Sequence, residues 1–426
     1  MVRHYVTAMI NEVVDEFRQF YGEPPAILTS APGRLDFLNT HQDYKGLPVV
    51  AVGINLRTCV AASISSNNFM IASGNLRDEG LDYVDKFQPS DLGLRGNKWF
   101  GDYVRALVLT FRRHGYYVKP FRAWIRSSVP IASGLGSSGT LLVALASAIN
   151  TLNRLGLDRK ELAELAYEAE HDVMGIPCGR LDQYAAAFGN IVRIETKPPY
   201  NVEILPRLGG VFLVLDTGIR HSTADIHPRL QAEIDEGLRE LLSMDLPDRI
   251  RSKLGNHYWE VRWDEIDEQE LRPYLDKLGG VLRDRILYTL RANESTKLAL
   301  KVMRGEAVDM ELIEHVLEMA RAEVEGVLSS YEWREGMVGR VMTYQHMLLS
   351  RYYGVSLPVI DELVDFLVSE GAYGAKLSGA GLGGAVIALV RNEDMAKELL
   401  NRASKRGLAV RGWVVNVDEG VLVHGG

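Results

Sequence analysis

The residues with the clearest chemistry lie in Pro130-Ile-Ala-Ser-Gly-Leu-Gly-Ser-Ser-Gly-Thr140. Gly134, Gly136 and Gly139 remove side chains where a backbone must approach a ligand closely. Ser137 and Ser138 open a run, Thr140–Leu155, that is rich in Ala and Leu and reads as a helix. A helix start offers free N–H groups and a partial positive charge. Gly134, Leu135, Gly136, Ser137, Ser138 and Gly139 therefore make an anion cradle suited to a triphosphate. A serine-capped Gly/Ser turn would have the same composition. No lysine follows the glycines, so this is not a G-x-x-x-x-G-K-[ST] loop. The G-x-G-x-x-G spacing is met, but a dinucleotide fold needs an acidic residue closing a second strand about 20 residues on. Leu155–Leu162 reads as helix instead.

Two further stretches concentrate ionisable groups. Gly33–Gly46 holds Arg34, Asp36, His41 and Asp43, and Ala169–Gln183 holds Glu170, His171, Arg180 and Asp182. The elements around them form a pattern. Ala8–Tyr21 is helical, Ala26–Pro32 is extended, and Leu47–Ser65 and Arg122–Ser128 are strand-like. Arg159–His171 is a second helix, and Gly189–Glu195 and Val211–Asp216 are strands. From Pro228 to about Tyr352 the chain is helical and charged. Pro358–Gly371 is an amphipathic helix, and Ala385–Val390 and Val410–Val417 are β-like. Runs of strands followed by runs of helices favour an α+β fold over a doubly wound sheet.

Composition bounds the function. The 426 residues carry Lys+Arg 48 against Asp+Glu 56, a formal net charge of −8. That excludes the basic footprint of a general nucleic-acid binder. Two cysteines cannot build a disulfide framework or a four-cysteine zinc site. Apolar runs fall short of the roughly 20 residues that span a bilayer. The expectation is a cytoplasmic protein, monomer or homodimer, with a small-molecule partner and neither nucleic acid nor membrane.

The loop at Pro130 resembles the second motif of the GHMP small-molecule kinases, P-x-x-x-G-L-x-S-S. Two more of their motifs occur in order. Ala31-Pro-Gly-Arg-Leu-Asp-Phe-Leu-Asn-Thr-His-Gln-Asp-Tyr44 is similar to the galactokinase-type signature G-R-x-N-L-I-G-E-H-T-D-Y, and Lys376-Leu-Ser-Gly-Ala-Gly-Leu-Gly-Gly384 to the glycine-rich third motif. Ala169-Glu-His-Asp-Val-Met-Gly-Ile-Pro-Cys-Gly-Arg-Leu-Asp-Gln183 resembles A-E-H-x-x-x-G-x-P-C-G-x-x-D-Q, and Arg220-His-Ser222 resembles R-H-S. The resemblance spans nearly the whole chain. It implies an N-terminal domain like ribosomal protein S5 domain 2 and a ferredoxin-like C-terminal domain with added helices. The division is expected at residues 1–215 and 216–426, with ATP, Mg2+ and sugar in a cleft between the domains.

The resemblance also assigns roles. Asp182 falls at the place of the catalytic base and Arg34 at that of its cationic partner. Glu170 and Ser138 take the magnesium positions. Trp99 is a candidate for the adenine. Arg34, Thr40, His41, Asp43, Gly179, Asp182, His227 and Gly379 fall at sugar positions. The implied reaction is ATP-dependent phosphorylation of a sugar at its anomeric hydroxyl, with galactose the first expectation. Galacturonate, pentose or heptose phosphate kinases and a non-catalytic sugar sensor are the alternatives; the intact serine loop favours an enzyme. Two departures bear on the sugar. Thr40 replaces a glutamate that meets the C6 end, and His227 replaces a tyrosine. With Arg180 nearby, these changes would tolerate an anionic C6. In addition, Asp36 replaces an asparagine.

Overall fold

The computed structural model describes residues 2–96, 99–131, 133–220 and 226–424, with side chains from Ala8 onward. Ala132 of the glycine-rich loop, and His221 and Ser222 of the R-H-S match, lie outside the described residues. Twelve strands are described. They are β1 (Ile27–Leu38), β2 (Val49–Ile64), β3 (Phe69–Ser73), β4 (Val84–Phe87), β5 (Phe121–Ser127) and β6 (Ile191–Ile194). They continue with β7 (Val202–Leu205), β8 (Val211–Asp216), β9 (Gly374–Ser378), β10 (Ala385–Val390), β11 (Arg411–Val415) and β12 (Leu422–His424).

The chain divides into two compact units, and the division is discontinuous. One unit comprises Met1–Leu35, Ala51–Val192 and Asn416–Gly426, and the other Asp36–Val50 and Arg193–Val415. These units do not follow a single cut between residues 215 and 216. Arg57 supplies a reason for the return of the C-terminus to the first unit. Its buried guanidinium donates to the Asp418 carboxylate at 2.9 Å, to the carbonyls of Glu419 and Gly420 at 2.9 and 2.7 Å, and to Ser30. A cation with no solvent needs such a set of acceptors.

The first unit is organised by a sheet in the order β12-β1-β2-β5-β3-β4, with β6 beside β2. β3 and β5 pair in parallel, and β12–β1, β2–β5 and β3–β4 pair antiparallel. The N-terminal helix Val2–Tyr21 buries Val13 and Phe17 against Cys59, Ala61 and Trp124. β1 is longer than its sequence suggests. Leu35 and Phe37 are fully buried and alternate with Arg34 and Asp36, so the strand continues through a stretch that reads as polar.

The second unit holds the sheet β11-β8-β10-β9, all of its recorded pairings antiparallel. In chain order this is strand, helices, strand, strand, helix Glu393–Lys405, strand, which is the ferredoxin-like arrangement expected. The added helices lie between β8 and β9, among them Ile226–Ser243, Gly280–Arg304, Trp333–Leu348 and Pro358–Ser369. Helix Trp333–Leu348 approaches β9 closely. A Cβ on Gly339 would fall 2.2 Å from the Tyr373 carbonyl.

Candidate active site

In the first unit the helix Ser137–Asn153 begins at the predicted place. Its N-terminal flank is Gly136 in the left-handed region (φ 75°), with no side chain capping it. The free N–H groups therefore remain available to a ligand. Gly139 is required by contact, since a Cβ there would lie 2.8 Å from Cβ of Asp182. That closeness seats the helix Leu181–Phe188 on the loop and brings Asp182 to it.

Arg34 and Asp182 meet as the sequence predicted. Nε and Nη2 of Arg34 both lie 2.7 Å from the same oxygen, Oδ1. Nη1 donates to the Gly134 carbonyl, and the Arg34 N–H bonds the Leu135 carbonyl at 2.9 Å. The guanidinium is thus locked to the loop, and Oδ2 of Asp182 lies beside Gly136, 3.4 Å from where a Cβ would stand. Such a carboxylate is fixed in place with one oxygen left to take a proton.

Glu170 stands on a π-helical turn, Ala169–Val173, that ends the helix Arg159–Glu168. Insertions of this kind are frequent at functional sites. Burial pushes the Glu170 carboxyl up, and hydrogen bonds from Ser138 and Gln183 oppose this. The Gln183 amide is 2.7 Å from Glu170 Oε2. One carboxylate and one hydroxyl are a sparse oxygen set. Among the described residues no group of three or more His, Cys, Asp or Glu side chains could hold a metal. Magnesium, which keeps several waters and shares substrate phosphates, fits that sparseness. Trp99 packs beside Phe100 and under the Arg95 guanidinium at 4.9 Å. Its indole N–H is buried with no partner among the described residues. Gly179 is exposed in the loop before Leu181.

In the second unit, Thr40, His41 and Asp43 sit on a turn held by distant residues. Asn39 and His41 have φ of 66° and 63°, a left-handed state that Asn and His adopt more readily than most side chains. The Asn39 N–H donates to Gln345 at 3.0 Å, its side-chain amide donates to the Pro48 carbonyl at 2.7 Å, and the Tyr288 hydroxyl donates to the Thr40 carbonyl. The Thr40 hydroxyl donates to Asp36 at 3.0 Å and accepts from Lys376 at 2.9 Å. Lys376 is fully buried, and burial pushes its amine down to about 8.

His41 Nε2 donates to the Ala380 carbonyl at 2.9 Å in the third motif, where only a donor fits. Nδ1 is then an acceptor, and it is buried with no partner among the described residues. Burial holds the ring neutral, well below its ordinary range. His227 lies 5.0 Å from it, ring to ring, and Tyr353 5.2 Å. Asp43 is pushed up to about 6, mainly by burial. Lys45 is buried, bonded to Gln42 and Thr289 at 2.9 Å and caged by Tyr353, Tyr288 and Tyr44. Gly379 has φ 84° and open space beside it, while a Cβ on Gly381 would strike the Val355 carbonyl at 2.3 Å.

Comparison with known proteins decides the family. The model of the GHMP kinases N terminal domain matches residues 102–190, that of the GHMP kinases C terminal 334–408, and the galactokinase galactose-binding signature 15–64. A galactokinase of Roseiflexus sp. is 30% identical over 90% of this chain and 88% of its own. The chain belongs to the galactokinase family of GHMP kinases. A Pyrococcus furiosus galactokinase is 28% identical over 93% of this chain and 99% of its own. The galactokinase fold is matched by the Lactococcus lactis galactokinase solved with galactose, at TM-score 0.76 and 22% identity over 97% of this chain and 99% of that one. A mevalonate kinase matches at 0.61 and 18%, over 92% and 99%.

Within this galactokinase-family chain the sequence reading misplaced one residue and missed others. Arg180 is no free cation for a sugar carboxylate. Glu164 takes its guanidinium at 2.8 and 3.2 Å, and Tyr167 stacks beneath it at 4.0 Å. Gln183, Ser378 and Lys376 stand inside the motifs, and the motifs alone assign them no role. A lysine within an otherwise apolar strand was a readable signal. Tyr288 and Tyr353 carry no local signal.

Proposed function

We propose that the protein transfers the γ-phosphoryl group of ATP to the anomeric hydroxyl of galactose. The observation that carries this reading is the Arg34–Asp182 pair, locked beside the uncapped start of the Ser137 helix. Asp182 Oδ2 accepts the proton of the C1 hydroxyl as that oxygen attacks the γ-phosphorus. The bond from phosphorus to the β,γ-bridging oxygen breaks, and ADP leaves. Arg34 offsets charge on the phosphoryl oxygens, and the helix N–H groups cradle the remaining phosphates. Ser138 and Glu170 would hold magnesium, which neutralises charge on the β- and γ-phosphates when bound. Trp99 is the proposed neighbour of the adenine.

The sugar's other hydroxyls fall to His41, Asp43, His227 and the open backbone at Gly379. His41 Nδ1 and Ser378 Oγ are buried polar atoms without partners among the described residues, and a polyol supplies partners for both. The negative charge missing at Thr40 reappears at Asp36, 3.0 Å from the Thr40 hydroxyl. Relative to the family signature the charge is relocated rather than lost, which favours galactose over a uronate. A panel of sugars with ATP, scored by ADP release, tests the reading. Galactose should give the highest kcat/KM; a higher value for galacturonate or a heptose phosphate would displace it.

A further inference from the structure

The side chain of Gln183, next in the chain to the proposed base, is fully buried. Its Nε2 donates to Glu170 Oε2 at 2.7 Å, with Cys178 Sγ at 3.9 Å. Its Oε1 is buried and has no partner among the described residues. The amide nitrogen faces the Glu170 carboxylate, which accepts from it. A buried acceptor left empty is unfavourable, so Oε1 asks for a donor. The carboxylate that its nitrogen holds is also hydrogen-bonded by Ser138, the other oxygen ligand proposed for the metal.

We propose that Gln183 is a positioning residue for the metal. Nε2 fixes the Glu170 carboxylate by one oxygen, and Oε1 accepts a hydrogen bond from a water that the ion retains. An ion that keeps most of its waters is oriented through such outer contacts, whose loss typically costs 10- to 100-fold in metal affinity. The inference rests on the reading of a magnesium–nucleotide enzyme.

The test uses Mn2+ as the probe, its binding to the full-length protein followed by electron paramagnetic resonance with a non-hydrolysable ATP analogue. Gln183→Met fills the same volume without donor or acceptor. It should weaken Mn2+ about tenfold or more, while analogue affinity in EDTA and the thermal midpoint stay near the parent's. Gln183→Glu keeps an acceptor and should regain part of the loss. Unchanged Mn2+ affinity in Gln183→Met overturns the proposal. So does an equal loss of analogue binding in EDTA, which marks a packing role, or a Glu variant no better than Met. A parent that binds no Mn2+ with the analogue instead removes the functional reading, and this role with it.

Discussion

The proposed phosphate-binding region and the proposed sugar-binding region around His41 are built differently. The first offers main-chain N–H groups at a helix start and an ion pair whose aspartate is 27% exposed on its side chain. The second offers buried side chains whose own partners come from far along the sequence. Thr40 and Lys376 are separated by 336 positions, Asn39 and Gln345 by 306. A phosphate is the same on every nucleotide, so a backbone cradle suffices for it. A sugar differs from its epimers only in hydroxyl directions, so its site needs fixed, desolvated atoms with defined donor and acceptor roles.

The comparison breaks most sharply at Asp182. If chemistry resides in the phosphate-binding region and selection in the other, Asp182→Ala should lower kcat by a hundredfold or more, about 2.7 kcal/mol of barrier. Affinity for the ATP analogue should stay within about threefold. Stopped assays of ADP formation and calorimetric titration separate the two. Residual activity within tenfold of the parent would sink the assignment of the base.

The same contrast explains what could be read from the sequence. The glycine-rich loop is contiguous and was legible as a motif; Gly136 answers to local geometry at φ 75°, whereas the reason for Gly139 is its distant contact with Asp182. The Arg34–Asp182 contact spans 148 positions and was legible through two motifs, not through spacing. The ferredoxin-like order was legible only through the family resemblance, because β9 and the helix Glu393–Lys405, which complete it, are not among the elements read from the residue pattern. The unit division was not legible, because Asp36–Val50 and Asn416–Gly426 change sides through tertiary contacts such as those of Arg57. Nor was the fate of Thr40. Its identity signalled a lost charge, and only the fold brings Asp36 and Lys376 to its hydroxyl.

That relocated charge gives the second prediction. Thr40→Glu would set a second carboxylate beside Asp36 among buried groups. A buried like-charge contact costs several kcal/mol, so galactose kcat/KM should fall about tenfold or more. Adding Asp36→Asn restores a single negative charge and should recover most of the loss. Steady-state kinetics on the single and double variants check this. A double variant no better than Thr40→Glu alone would show that the two positions do not share one charge. Turnover of the phosphate-binding region with bound sugar should be little changed in the double variant.

The smallest effect expected is a pH dependence confined to the sugar side. Burial raises the Asp43 carboxyl to about 6 from its ordinary 3.8. An acid so raised is ionised above pH 6 and neutral below it. A carboxylate accepts hydroxyl donors more strongly than a carboxylic acid does, so the KM for sugar should be flat near pH 7.5. It should then rise by up to about tenfold per unit as pH falls below 6. With an ordinary aspartate the rise would start about two units lower. Burial also lowers His41 well below its ordinary range, so its protonation is disfavoured and Asp43→Asn separates the two groups. Lys376, held near 8, loses charge only on the alkaline side. Stability carries the same titration with its own sign. Between about pH 4 and 6 the folded state keeps a proton that the unfolded chain releases, so Asp43 alone makes the fold more stable as pH falls through that window. Asp43→Asn should flatten both profiles while leaving the KM for ATP unmoved. An acid limb that survives in Asp43→Asn would assign the titration to another group and dissolve the proposed separation between the two regions.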